Sequence, residues 1–362
     1  MKQKFYSQVK MECIFFFGTG AAANVPAANL REDGMKFGVI GAGRIGKIHG
    51  GNIAARRDSE VVYVADADAG AAKALADSTG AQVASVDQII DAKDVEAVAI
   101  CSPTDTHADL IERAARAGKA IFCEKPIDLD VGRIRKCLEV VRSAGATLMI
   151  GFNRRFDPNF AALRKRVAEG AIGKLEIVSI TSRDPGPPPL SYIARSGGLF
   201  RDMMIHDFDM ARFILGEEPV AVSAMGSALV DKGIGEAGDI DTAVVIMETK
   251  SGKVAQISNS RRASYGYDQR LEAHGEKGRI HADNVRETTV ETAGSEGFTR
   301  DKILNFFLDR YDAAYKIELD AFIGAVKSGA KPRPDGDDGL KANIVADAAH
   351  QSWKTKQRVA IE

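Results

Sequence analysis

Cysteine is scarce in this 362-residue chain, and the four present, Cys13, Cys101, Cys123 and Cys137, show no close paired spacing. That argues against a disulfide framework or a thiolate zinc site. Three of the four lie in apolar stretches and read as reduced core thiols of a cytoplasmic protein. The six histidines are scattered without a His-Glu-x-x-His spacing, so no metal is expected. No stretch approaches the ~18 apolar residues of a membrane span, so no membrane partner is expected. Neither sign of charge dominates: 49 lysines and arginines face 50 aspartates and glutamates, the net charge is −1, and no like-charge block occurs. This balance argues against nucleic acid or an anionic membrane surface as a partner. Internal repeats are absent. The one biased tract, Asp184–Leu190, carries four prolines and reads as a stiff loop, because proline can continue neither a helix nor a central strand.

What is present is a chain long enough for about two domains of roughly 150 residues each, with an ordinary 45% of hydrophobic residues. Residues 1–34 stand apart. They hold Lys2, Lys4 and Lys10, a short apolar run at Cys13–Phe17, and Ala21–Ala23. The run is shorter than the ~7 residues of a signal-peptide core and has Glu12 at its edge, so the expectation is a disordered or mis-started leader, with Met35 as a possible start. From residue 36 to 151, short apolar runs (36–40, 60–65, 95–101, 119–123, 146–150) alternate with helical patterns (44–56, 69–78, 105–117, 130–143). Strands separated by helices of about ten to fifteen residues predict right-handed crossovers and a parallel sheet. After Gly151 a helix fits 158–169 and a strand 175–181, followed by closely spaced strands at 220–229, 242–248, 254–260, 270–274, 279–282 and 288–291. Ser251-Gly252 and Glu276–Gly278 mark hairpin turns. Late helices fit 312–328 and 339–354. The predicted fold class is α/β: a doubly wound Rossmann domain (35–151), then an α+β domain (152–362) with a large open, mostly antiparallel sheet, whose late helices could pack back on the first domain.

Gly41-Ala-Gly-Arg-Ile-Gly46 follows the first strand and opens a helix. In such a motif Gly41, Gly43 and Gly46 give a tight turn, close backbone approach to a pyrophosphate and close helix packing, while Arg44 and Ile45 begin the helix whose N-terminus faces the phosphates. Asp66 ends the second strand. A carboxylate there accepts from adenosine ribose hydroxyls and repels a 2′-phosphate, and the next residue is Ala67 rather than arginine, so the expected cofactor is NAD. The competing reading makes Asp66 a cap of the next helix.

Ligands of doubly wound sheets sit beyond the carboxyl ends of the strands. Two such ends carry polar residues. One is Ser102-Pro-Thr-Asp-Thr-His107, giving Ser102, Thr104 and His107 as candidate cofactor contacts. The other is Glu124-Lys125-Pro126, where Lys125 could stabilise a developing alkoxide. Further on, Asp202 and His206 stand four residues apart, which on one helix places both on one face, where the carboxylate could orient the imidazole as a general base. The bland alternatives are a turn lysine, a helix-capping aspartate and a satisfied structural histidine. Hydride acceptor, lysine and histidine–carboxylate pair together make a set for alcohol oxidation.

The fingerprint, the Glu-Lys-Pro turn, Gly-Phe-Asn-Arg-Arg-Phe-Asp (151–157) and Gly-Gly-Leu-Phe-Arg-Asp-Met-Met-Ile-His-Asp-Phe-Asp-Met-Ala-Arg (197–212) resemble the Gfo/Idh/MocA oxidoreductase family over residues 35–362. The last two segments resemble its inositol-acting branch. That resemblance implies a Lys125–Asp202–His206 triad, with His206 as base, Asp202 as its orienter and Lys125 as hydroxyl ligand and proton relay. It implies Glu124 beside the cofactor, and a polyol pocket drawing on Asn153, Arg154, Asp184, Tyr265, Tyr267 and Tyr311. It implies NAD-dependent oxidation of myo-inositol to 2-keto-myo-inositol in inositol catabolism, and a homo-oligomer, a tetramer, formed through the C-terminal sheet. A related NAD-dependent sugar or scyllo-inositol dehydrogenase and a non-catalytic NAD-binding regulator are the other readings. Met203 departs from the threonine common in relatives, which bears on fine specificity.

Overall fold

A computed structural model describes residues 34–361; the leader expectation for 1–34 therefore falls, Gly34 apart, outside the described residues. The first half contains β1 (Met35–Ile40), α1 (Arg44–Ala54), β2 (Ser59–Ala65), α2 (Ala69–Thr79), β3 (Gln82–Val83), α3 (Val86–Asp91), β4 (Ala97–Ile100), α4 (His107–Arg116), β5 (Ala120–Glu124), α5 (Val131–Ala144) and β6 (Leu148–Gly151). All pairings are parallel and the order is β3-β2-β1-β4-β5-β6. The strand order reverses beside β1, so a crevice opens between the ends of β1 and β4, where doubly wound sheets take their ligands.

The second half runs α6 (Pro158–Ala168), β7 (Leu175–Arg183), α7 (Leu190–Ser196), α8 (Gly198–Asp202), α9 (Ile205–Leu215), β8 (Pro219–Ser227), α10 (Lys232–Glu236), β9 (Thr242–Thr249), β10 (Val254–Ser260), β11 (Asp268–Gly275), β12 (Gly278–Ala282), β13 (Glu291–Gly294), β14 (Gly297–Arg300), α11 (Phe307–Arg310), α12 (Asp312–Ser328), α13 (Gly336–Thr355) and β15 (Val359–Ala360). Seven strands form a sheet in the order β12-β11-β7-β10-β9-β8-β15, antiparallel except for β7 against β10. The strand expected at 288–291 begins three residues later, and pairs with β14 in a separate exposed hairpin. One face of the seven-stranded sheet buries Val178, Val222, Val245 and Ile257 against Phe208 and Ile214 of α9. The other leaves Ile177, Met225, Val244 and Ile246 exposed.

The late helices do return to the first half. Phe322 of α12 packs on Phe37 and Phe122, with ring centroids 6.0 and 5.8 Å away, and Leu319 and Ile323 join the same cluster. Ala342 of α13 lies in the cluster on the opposite face of that sheet, while Val345 and Ala349 belong to the core of the second half. A buried ion network reinforces this joint: Arg155 pairs with Asp209 of α9 and Asp338 of α13, and Arg212 reaches both carboxylates.

Candidate active site

The three fingerprint glycines stand in different surroundings. Gly41 has φ of 104°, and a Cβ there would lie 2.4 Å from the Cys101 carbonyl carbon at the end of β4. At Gly46 a Cβ would collide with the Gly41 carbonyl oxygen at 1.9 Å. Around Gly43 no atom lies within 4 Å of an added Cβ, so the backbone there fronts open space. Gly43 is also the N-cap of α1 and supplies no side-chain cap, leaving the helix's first N–H groups to a ligand. Asp66 lies beside this loop: Oδ2 accepts from Ala42 N at 2.5 Å and Oδ1 from Asp68 N at 2.8 Å. The capping of α2 falls to Asp68, which accepts from Gly70 and Ala71. These features fit a dinucleotide: an uncapped helix N-terminus for the pyrophosphate and a carboxylate at the end of β2 for the ribose.

Ser102 and Thr104 are half-buried beyond β4, with Ser102 Oγ hydrogen-bonded to Thr106 Oγ1 at 2.6 Å. His107 does not join them as a cofactor contact. Its ring is buried between the Pro126 carbonyl (Nδ1, 2.7 Å) and the Ser102 carbonyl (Nε2, 2.8 Å), so it clamps two loops together and has no nitrogen left for a ligand. Arg44 places its guanidinium 5.8 Å from the Phe306 ring centroid, and Ile45 packs on the core of the second half. Glu124 Oε1 meets His49 Nε2 at 2.7 Å, tying the Glu-Lys-Pro turn to α1.

Lys125 reaches across from the first half to the second. Its Nζ donates to the Asp202 carbonyl at 2.8 Å and lies 3.8 Å from Asp202 Oδ1. That contact corrects the expected helix. Asp202 ends α8, Met203 and Met204 form a turn, and His206 lies in the first turn of α9. A continuous helix would spend the Asp202 carbonyl on the His206 N–H, whereas here Lys125 takes it, and both methionines turn inward to buried positions. The Asp202 carboxylate is consequently not the orienter of His206. Its Oδ1 accepts from the Tyr192 hydroxyl at 2.8 Å and its Oδ2 from Arg261 Nη2 at 3.2 Å. His206 Nδ1 is buried without a hydrogen-bond partner, leaving Nε2 as the nitrogen that reaches open space. The ring sits edge-on to Phe152 at 6.1 Å. Burial, then the neighbouring Lys125 and Arg154 charges, push the His206 pKa well below its ordinary 6.5, so the imidazole is neutral at pH 7 and able to take a proton.

The expected polyol residues divide. Asp184 is half-buried after β7, and no side-chain hydrogen bond engages its carboxylate within the described residues. Burial raises its pKa to about 6 against the opposing pull of Arg261 and Arg154. Asn153 is buried in the turn after β6. Arg154 is committed internally: Nη1 bonds Asp207 Oδ1 at 2.5 Å and both Nη atoms reach Ser182 Oγ at 3.3 Å. Its place is under the pocket as a fixed charge, not as a free hydroxyl ligand. Tyr267 and Tyr311 are buried edge-to-face at 5.9 Å. Tyr311 Oη donates to Gln269 Oε1 at 3.3 Å, and burial pushes its phenol up to about 12. Tyr265 is 53% exposed and bonded to Asp268 and Arg183, at the surface end of β11 rather than in the cleft. Tyr192, Arg261 and His49 were not foreseen from the sequence. Among the described residues, no group of three or more His, Cys, Asp or Glu could hold a metal ion.

The pKa directions set a pH profile. Protonation disables a base, so activity is lost as pH falls, and a lowered pKa moves that loss to lower pH. The His206 limb of log kcat/KM therefore falls below 6.5. If Asp184, raised to about 6, accepts from a substrate hydroxyl, its protonation adds a second limb, because one carboxylate oxygen then becomes a donor. The Asp184→Asn variant should lose that limb and keep the lower one. A surviving limb centred at or above 6.5 would contradict the buried neutral imidazole.

An open parallel sheet with a dinucleotide crevice, faced by a lysine and a neutral histidine, defines a nicotinamide-dependent oxidoreductase. Residues 35–152 match the oxidoreductase family with an NAD-binding Rossmann fold, and residues 160–281 match the Gfo/Idh/MocA C-terminal domain. The chain belongs to the Gfo/Idh/MocA oxidoreductase family, and its cofactor is NAD. It is 57% identical over 327 residues (90% of this chain, 99% of the relative) to inositol 2-dehydrogenase of Rhizobium meliloti. With myo-inositol 2-dehydrogenase of Thermotoga maritima it shares 48% over 330 residues (91% and 99%). The crystal structure of myo-inositol dehydrogenase from Lactobacillus casei in complex with NAD(H) and myo-inositol superposes with a TM-score of 0.81 at 26% identity, covering 91% of this chain and 97% of that one.

Proposed function

We propose that the chain oxidises the axial hydroxyl of myo-inositol to 2-keto-myo-inositol with NAD. The observation that carries this reading is the convergence of Lys125, from the end of β5, with Asp202 and His206 from α8 and α9 in one cleft. Similarity over nine-tenths of the chain to enzymes named for inositol supports the substrate. Bound NAD supplies the hydride acceptor. The reaction breaks the carbon–hydrogen and oxygen–hydrogen bonds of one alcohol. The hydride goes to the nicotinamide, the proton to His206 Nε2, and the carbon–oxygen bond becomes a carbonyl. Lys125 Nζ donates to the substrate oxygen and stabilises the negative charge that develops there. Asp184 and Asn153 pair with other hydroxyls, since each buried hydroxyl of a cyclitol needs a partner.

We also read the exposed apolar row Ile177, Met225, Val244 and Ile246 on the seven-stranded sheet as an interface between copies of the chain, in a tetramer. The setting is inositol catabolism in the cytoplasm. A polyol panel with NAD, followed at the nicotinamide absorbance, tests the assignment. The largest kcat/KM is expected for myo-inositol. A larger value for scyllo-inositol or a free aldose would reassign the substrate, and NADH binding without turnover of any polyol would replace the enzyme with a nucleotide-binding regulator.

A further inference from the structure

Asp202 lies at the centre of the cleft, yet neither carboxylate oxygen is within ion-pair distance of His206. Two residues hold it where it is. Tyr192 comes from α7, the short helix that follows the proline-rich loop, and its hydroxyl donates to Oδ1 at 2.8 Å. Arg261 follows β10, is 1% exposed, and donates from Nη2 to Oδ2 at 3.2 Å. Its backbone is itself fixed, because Arg261 N donates to the Asp241 carbonyl at 2.8 Å. The Asp241 carboxylate in turn ties down the N–H groups of Leu229, Val230 and Asp231. Each oxygen of Asp202 thus has a donor on a different element. The same residue offers Lys125 a carbonyl at 2.8 Å and a carboxylate oxygen at 3.8 Å.

We infer that Tyr192 and Arg261 are positioning residues for the oxidation: they lock the Asp202 carboxylate in the orientation that aims the Lys125 ammonium at the substrate oxygen. Asp202 then acts through the lysine, not through the histidine. A carboxylate held by two donors cannot rotate onto Lys125 and pull its ammonium off the substrate. With the Tyr192 hydroxyl removed, Oδ1 is free to swing towards Nζ, and the lysine is drawn into a tighter ion pair at the expense of the alkoxide. The inference rests on the polyol oxidation proposed above.

The test is Tyr192→Phe, which deletes one oxygen from a side chain that is 45% exposed, with Arg261→Lys as a second variant and wild type measured alongside. Loss of one hydrogen bond to a charged group predicts a fall in kcat of about tenfold or more. The KM for myo-inositol, the NADH dissociation constant and the melting temperature should stay close to wild type. The primary isotope effect with inositol deuterated at the oxidised carbon should change, because the bond-breaking step itself is slowed. If KM rises with kcat intact, Tyr192 is a substrate ligand and the inference is wrong; unchanged kcat and isotope effect in Tyr192→Phe also overturn it. A wild type that turns over no polyol sinks the oxidation reading and the positioning role with it, a result distinct from an active wild type with an unaffected variant.

Discussion

His206→Ala is expected to lower kcat by about 10²–10⁴-fold, the usual contribution of a positioned general base, while the dissociation constant for NADH stays at its wild-type value. The expectation follows from the ring's surroundings. Nδ1 is buried without a partner, Lys125 and Arg154 disfavour the imidazolium, and Nε2 is the nitrogen left to face the cleft. The proposed nucleotide contacts lie elsewhere, at the Gly41–Gly46 turn and Asp66, so cofactor binding provides a control for folding. The check is steady-state turnover beside fluorescence titration of NADH. Wild-type turnover in the alanine variant would remove the histidine from the reaction.

Lys125→Met should cost about 10²–10³-fold in kcat, the penalty typical for losing one donor to a developing oxyanion. Methionine keeps the unbranched apolar stem of the lysine as far as Cε and removes the ammonium group with its charge and donors. The Asp202 carbonyl would lose its partner at 2.8 Å, so part of the effect comes from slack between α8 and β5. Lys125→Ala, which leaves the space of the lysine stem open to added alkylamines, separates the two contributions. Recovery of turnover with a small amine would show that the missing element is the cation; no recovery together with a lower melting temperature would assign the loss to structure instead.

Much of the nucleotide half was legible because its demands are local. Gly41 and Gly46 are dictated by contacts within one turn and its neighbouring strand, Gly43 fronts open space between them, and a six-residue pattern records all three. The place of Asp66 was legible for the same reason, since it directly follows β2 beside that turn. The second half was less readable where an interaction spans a long stretch of chain. Asp202 and His206 have the spacing of one helical face, but a lysine 77 residues upstream takes the carbonyl that would have continued the helix. Arg261 reaches Asp202 from 59 residues downstream, and no periodicity marks such a pairing. Arg154 read as a free ligand because nothing in its segment announces Asp207 and Ser182 beneath it. His107 sat at a plausible strand end, yet two carbonyls capture its ring.

The return of α12 to the first sheet has a consequence for how the protein is made. Phe37 and Phe122 belong to strands synthesised early, but the aromatic that covers them, Phe322, is translated some two hundred residues after the later of the two. On the ribosome the emerging nucleotide half carries an uncovered greasy flank until nearly the whole polypeptide has left the exit tunnel. A fragment cut after β6 would keep the glycine-rich turn yet lack its lid of side chains, and such surfaces self-associate. A dinucleotide module ending at its last strand is therefore expected to need α12 to close its surface.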